Sequence, residues 1–108
     1  MAENSDIYLK IALDENKVPE TIFWTAKDGG VLEEPAKAVM LSLWDARSKD
    51  TLRIDLWTKD MELDDMKRFF HQTLLSMADS YDRATDETEM AEDLRDFARY
   101  FAERQKLG

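Results

Sequence analysis

The chain predicts an α+β domain in two layers: a four-stranded antiparallel sheet followed by a C-terminal antiparallel helix pair, in the order ββββαα. Three observations predict it. Four stretches in the first half alternate apolar and polar residues with a period of two. Two stretches in the second half repeat apolar residues at steps of three and four. Between them, Thr51–Ala84 holds an alternating strand, a short acidic joint and a long amphipathic helix, and the rest of the chain adds elements to either side of it.

Residues 1–5 are expected to fray. Ile7, Leu9, Ile11 and Leu13 alternate with Tyr8, Lys10, Ala12 and Asp14, which predicts a first strand. Asp14-Glu15-Asn16-Lys17 has turn chemistry. Val18–Ala26 predicts a second strand, with Ile22 and Trp24 on the face of Ile11 and Phe23 pointing outward. A slip of one residue would exchange those faces. Asp28-Gly29-Gly30 ends the strand, and Val31–Pro35 reads as a connecting loop. In Lys37–Asp45, Val39, Leu41 and Leu43 alternate with Ala38, Met40, Ser42 and Trp44, predicting a third strand. Ala46–Asp50 is a loop into the fourth, where Leu52, Ile54 and Leu56 alternate with Arg53, Asp55 and Trp57.

The first helix follows. Leu63, Met66, Phe69, Phe70, Thr73, Leu74, Met77, Ala78 and Tyr81 fall in one stripe at about 100° per residue. It starts within Asp60–Asp65, where four acids suit the positive end of the helix dipole. Arg83–Asp86 is a short link, and Asp86 with Glu89 has the spacing of a capping box. Met90, Leu94, Phe97, Ala98 and Phe101 form the second stripe, with Glu92, Asp93, Asp96 and Arg99 on the wet side. So short a link demands an antiparallel helix hairpin.

At 108 residues the chain is the size of a single domain, 1–108, able to bury a core of its own. An apolar content of 44% argues against global disorder. With no cysteine there is no disulfide, no thiolate nucleophile and no zinc-finger site. MAENSD is acidic and polar, unlike a secretory signal or a lipoprotein leader, and no apolar run is long enough to span a membrane. A cytoplasmic protein with no membrane insertion is therefore expected. Net charge is −9, with −3 on residues 1–59 and −6 on residues 60–108. An acidic helical surface repels phosphate backbones and anionic lipids, so no nucleic-acid partner is expected.

Read together, TLRIDLWTKDM (Thr51–Met61), MKRFFHQTLLSMAD (Met66–Asp79), MAEDLRDFARYFAE (Met90–Glu103) and DENKVPETIFWTAKDGG (Asp14–Gly30) resemble the gliding motility-associated GldC family. The similarity runs in order from about Ile7 to Glu103 and departs mainly at the ends and around Val31–Pro35. The resemblance implies a role in gliding motility in bacteria of the Bacteroidota. It also implies a small soluble protein without established catalytic activity, encoded among motility and type IX secretion components and found also in non-gliding relatives. It carries over no catalytic residues.

No catalytic constellation is legible, and no cofactor or metal site is predicted. His71, the sole histidine, sits near the edge of the first helical stripe. A general base there would need an oriented partner, and no serine elbow, cysteine or second histidine suggests one. Asp60-x-Glu62-x-Asp64 begins like a calcium loop, but the positions that need glycine and glutamate are Asp65 and His71. Asp86, Glu87, Glu89, Glu92 and Asp93 read as a solvated helix start. Asp28-Gly29-Gly30 leads to no phosphate loop.

The outward set of aromatics is more informative. If the helices cover the face of Ile7, Leu9, Ile11, Leu52, Ile54 and Leu56, the other face carries Tyr8, Met40, Trp44 and Trp57, with Phe23. Tryptophan and tyrosine are preferred interface anchors. The alternatives are shielding by Lys10, Lys37 and Arg53 through cation–π contacts, or a second strand that wraps over part of the set. The expected function is a non-enzymatic interaction protein of the gliding and secretion machinery. Tyr8, Phe23, Trp44 and Trp57, or an edge strand, would hold a protein partner or a second copy in a homodimer. A small acidic secretion chaperone is the first alternative. A small-ligand or hydrolase site using His71 with Asp55 or Asp79 is the second.

Overall fold

The structure is a computed structural model describing residues 3–107. The expected fraying of residues 1–5 falls partly outside that range. Residues 3–7 belong to no strand or helix. The chain divides between Met61 and Glu62 into two compact units, one of strands and one of helices.

The first unit contains five antiparallel strands, not four. They are β1 (Tyr8–Leu13), β2 (Pro19–Ala26), β3 (Val31–Ala36), β4 (Ala38–Asp45) and β5 (Asp50–Trp57). They form two sheets, β1-β2-β3 and β4-β5, which corrects the single four-stranded sheet. The extra strand is the segment expected to be a loop. Its alternation is hidden because Glu33 takes a positive φ of 45° and bulges. The β2–β3 register shifts between Trp24 and Ala26 at this point, and the Glu33 amide donates to Thr25 Oγ1 at 3.0 Å. Pro35 looks like a breaker, but β3 is an edge strand, where proline is tolerated. Only Lys37 separates β3 from β4. The extended chain therefore leaves one sheet and enters the other at that residue.

Turn chemistry closes the hairpins. Asp14 Oδ1 accepts the amides of Asn16 at 2.8 Å and Val18 at 3.0 Å, and Lys17 takes a left-handed φ of 64°. Asp45 Oδ2 does the same for the β4–β5 loop, accepting from the Ser48 hydroxyl at 2.6 Å and the Ser48 amide at 3.2 Å. Gly30, at φ 76°, ends the 3₁₀ turn Lys27–Gly29 that leads into β3.

Two side-chain clusters follow β5, and the first ties its end to the three-stranded sheet. Lys59, just past β5, donates to Asp14 Oδ2 at 3.1 Å and to Glu20 Oε1 at 3.3 Å, while its amide reaches Pro19 O at 3.2 Å. The Val18 amide, and then Lys59, hold the Asp14 carboxyl below its ordinary range, while Asp14 and Glu20 hold the Lys59 ammonium above its own. Thr58 is 1% exposed; its amide donates to Lys37 O and its hydroxyl to Asp60 Oδ1 at 2.6 Å. Asp60 Oδ2 accepts from Lys37 Nζ, which with the Thr58 bond lowers its pKa. Asp60 is thus committed to the corner at Lys37 and lies outside the helix start.

The second unit is a pair of helices, α1 (Leu63–Thr85) and α2 (Thr88–Arg104). Asp64 and Asp65 occupy the first turn of α1, and Glu62 is its N-cap without a side-chain cap bond. Asp86 does not open α2 with a capping box. It closes α1 in the left-handed region at φ 58°, and Glu87 is the N-cap of α2. The helices run antiparallel, because contacts climb one while descending the other: His71 with Phe101, Asp79 with Arg95, and Asp82 with Thr88. Ala78, Ala91 and Ala98 are fully buried, so the small side chains let the two helices approach closely. Arg95 locks the polar side of the pair, bonding Asp79 Oδ1 at 2.9 Å, Asp82 Oδ2 at 3.4 Å and Glu92 Oε1 at 2.6 Å.

Candidate interaction surfaces

Strand pairing assigns every side chain to a face, because residues opposite each other share one. In the three-stranded sheet, Ile11 pairs with Ile22 and Leu9 with Trp24, so Ile11, Ile22 and Trp24 share a face as expected. Tyr8 opposite Thr25, and Phe23 opposite Lys10, lie together on the reverse face. In the two-stranded sheet, Val39, Leu41 and Leu43 oppose Leu56, Ile54 and Leu52. Trp44 opposite Thr51, and Trp57 opposite Ala38, lie on the other side.

The four aromatic residues singled out from sequence therefore do not share one sheet face. Tyr8 and Phe23 belong to one sheet, Trp44 and Trp57 to the other. Trp44 and Trp57 stand at opposite ends of the β4–β5 ribbon, six pairs apart, which is roughly 20 Å along a strand. Trp44 is 64% exposed, Tyr8 62% and Trp57 55%, while Phe23 is half-buried. Trp57 borders a shallow cleft of about 270 Å³ with Val18, Pro19 and Asp55. Lys10 pairs with Glu33 at 3.7 Å and Lys37 with Asp60 at 2.6 Å, so carboxylates engage the two lysines expected to cover the aromatic rings. The ribbon's aliphatic face is open as well, with Leu43, Leu52 and Ile54 about half exposed. Among the described residues, neither strand of the ribbon has a second ladder partner, so both outer edges are unpaired.

His71 stacks on Phe101, with ring centroids 6.4 Å apart and planes 5° from parallel, against the facing helix. Asp79, one of its two proposed partners, is bound by Arg95. Among the described residues, no group of three or more His, Cys, Asp or Glu side chains is placed to hold a metal ion. Among the described residues no helix is long and apolar enough to cross a membrane.

One surface escaped the sequence reading. α1 and α2 enclose an open apolar groove of about 880 Å³ within the helical unit, between Met77 and Tyr81 on one helix and Met90, Leu94 and Phe97 on the other. These residues were legible as helical stripes. Periodicity gives the direction of a stripe, and nothing in it indicates that the stripe stays half exposed.

No curated protein and no solved structure matches the chain. The family described as gliding motility-associated protein GldC-like matches residues 19–107, nearly the whole length and both units. The chain belongs to the GldC-like family and is thereby associated with gliding motility.

Proposed function

We propose that this chain is a non-enzymatic accessory protein of the gliding machinery, linked to type IX secretion and working in the cytoplasm through protein–protein contacts. The observation that carries the reading is the β4–β5 ribbon. It presents Trp44 and Trp57 on one face, each more than half exposed, with both edges unpaired among the described residues. Large aromatic side chains supply interface energy, and a free edge accepts an incoming strand by main-chain hydrogen bonds. The partner is a protein of the motility or secretion machinery. A second copy meeting the same ribbon is the simplest competitor for it.

The test is complementation of a gliding strain lacking its own copy with Trp44→Ala, Trp57→Ala and the double variant. Colony spreading is expected to fall with each and to vanish with the double. Both residues are exposed, so folding stability in urea should stay within about 0.5 kcal/mol of wild type. Normal spreading with both tryptophans gone would refute the reading. Spreading lost together with cooperative unfolding would assign the tryptophans to the core.

A second reading, a small acidic secretion chaperone, draws support from the apolar helical groove beside acidic residues. It predicts capture of unfolded client segments at tens of micromolar, checked with a reduced, permanently unfolded protein.

A further inference from the structure

The helical groove has two unlike walls. Met77, Met90 and Phe97 are each at least half exposed along its floor. On the α1 side the rim is Ser76 and Ser80, one turn apart. On the α2 side, Glu89, Asp93 and Asp96 follow at steps of four and three, so they form one row flanking Met90 and Phe97. Asp96 pairs with Arg99, whereas Glu89 and Asp93 form no ion pair among the described residues. From Thr73 to Ala84 the groove runs about 16 Å along α1, or three helical turns.

We propose that this groove docks an amphipathic helix of a partner protein, one carrying an apolar stripe flanked on one side by lysine or arginine. The apolar floor matches anchors spaced at three and four residues, and the acidic row selects a basic flank. A second copy fits poorly. Residues 62–108 hold 12 acids and 7 bases, net −5, so self-pairing would bring two negative helix pairs together. The groove belongs to the helical unit and the β4–β5 ribbon to the strand unit, and this inference does not rest on the ribbon's role.

The test uses the full chain and a synthetic helical peptide about four turns long, with leucine anchors and a lysine flank. A second peptide replaces each lysine with glutamate. Anisotropy titrations should show binding of the lysine peptide alone, weakening with salt. Glu89→Lys with Asp93→Lys should weaken it at least about tenfold. Glu3→Lys with Glu15→Lys, which makes the same change in net charge elsewhere, should have little effect. Amide shifts in a ¹⁵N spectrum should cluster on residues 73–84 and 90–97, and Trp57→Ala should leave them in place. Equal weakening by both charge reversals would overturn the proposal, as would shifts outside the two helices or no binding at all. A dimer by light scattering that Phe97→Glu dissociates would also overturn it, assigning the groove to a second copy.

Discussion

The three-stranded sheet and the β4–β5 ribbon arise from the same apolar–polar alternation, but only the first buries a large side chain. Ile22, on the central strand β2, is flanked by β1 and β3 and is 1% exposed. The ribbon pairs eight residues of β4 with eight of β5 in unbroken register, but leaves Leu43, Leu52 and Ile54 about half exposed. Order and burial are thus separable. β2 has both its edges paired, whereas an isolated two-stranded hairpin is marginal in water and needs something to pack against. The ribbon is well paired and poorly covered, which is the contrast on which its proposed docking role rests.

The largest expected effect tests that contrast directly. Ile22→Ala should cost about 2–5 kcal/mol in urea unfolding, as truncation of a buried isoleucine does. Ile54→Ala, on the open face of the ribbon, should cost well under half of that. Equal losses would show that the ribbon's aliphatic face is packed and that the contrast fails.

A smaller effect concerns the tether between the two sheets. The Asp14 carboxyl is held below its ordinary pKa, mainly by the Val18 amide and Lys59. Its stabilisation is present above the ordinary carboxylate range and is lost as pH falls through the depressed folded value. Lys59, raised by Asp14 and Glu20, contributes below its ordinary pKa and loses that contribution only on the far alkaline side. Asp14→Asn should therefore lower stability at neutral pH and shrink the loss on acidification. Some acid loss should remain, because the carboxyls of Asp45 and Asp60 are depressed as well. Parallel pH profiles for wild type and variant would show that the Asp14 carboxyl does not carry this stabilisation.

The parts legible in advance were those set by local pattern. β1, β2, β4, β5 and both helices follow from alternation and helical stripes, and the facing of Ile22, Trp24 and Phe23 came out as the alternation requires. β3 was hidden because a bulge at Glu33 and a proline at position 35 erase the period of two. The division into two sheets was hidden because strand pairing is non-local, and nothing in residues 36–38 announces that the chain changes sheets there. Asp86 shows a different limit: its spacing from Glu89 suits a cap, but the preceding helix uses it as a left-handed terminator. For the candidate surface, alternation grouped Tyr8 with Phe23 and Trp44 with Trp57 as the strand pairings do. It could not show that the residues divide between two sheets.

The most direct measurement places a photoreactive phenylalanine analogue at position 57, and separately at 44, 97 and 103, in gliding cells. A docking ribbon predicts a discrete protein adduct from positions 44 and 57 under irradiation, and none from the exposed control position 103. Silence at both 44 and 57, with cells gliding normally, would contradict the ribbon as the contact surface.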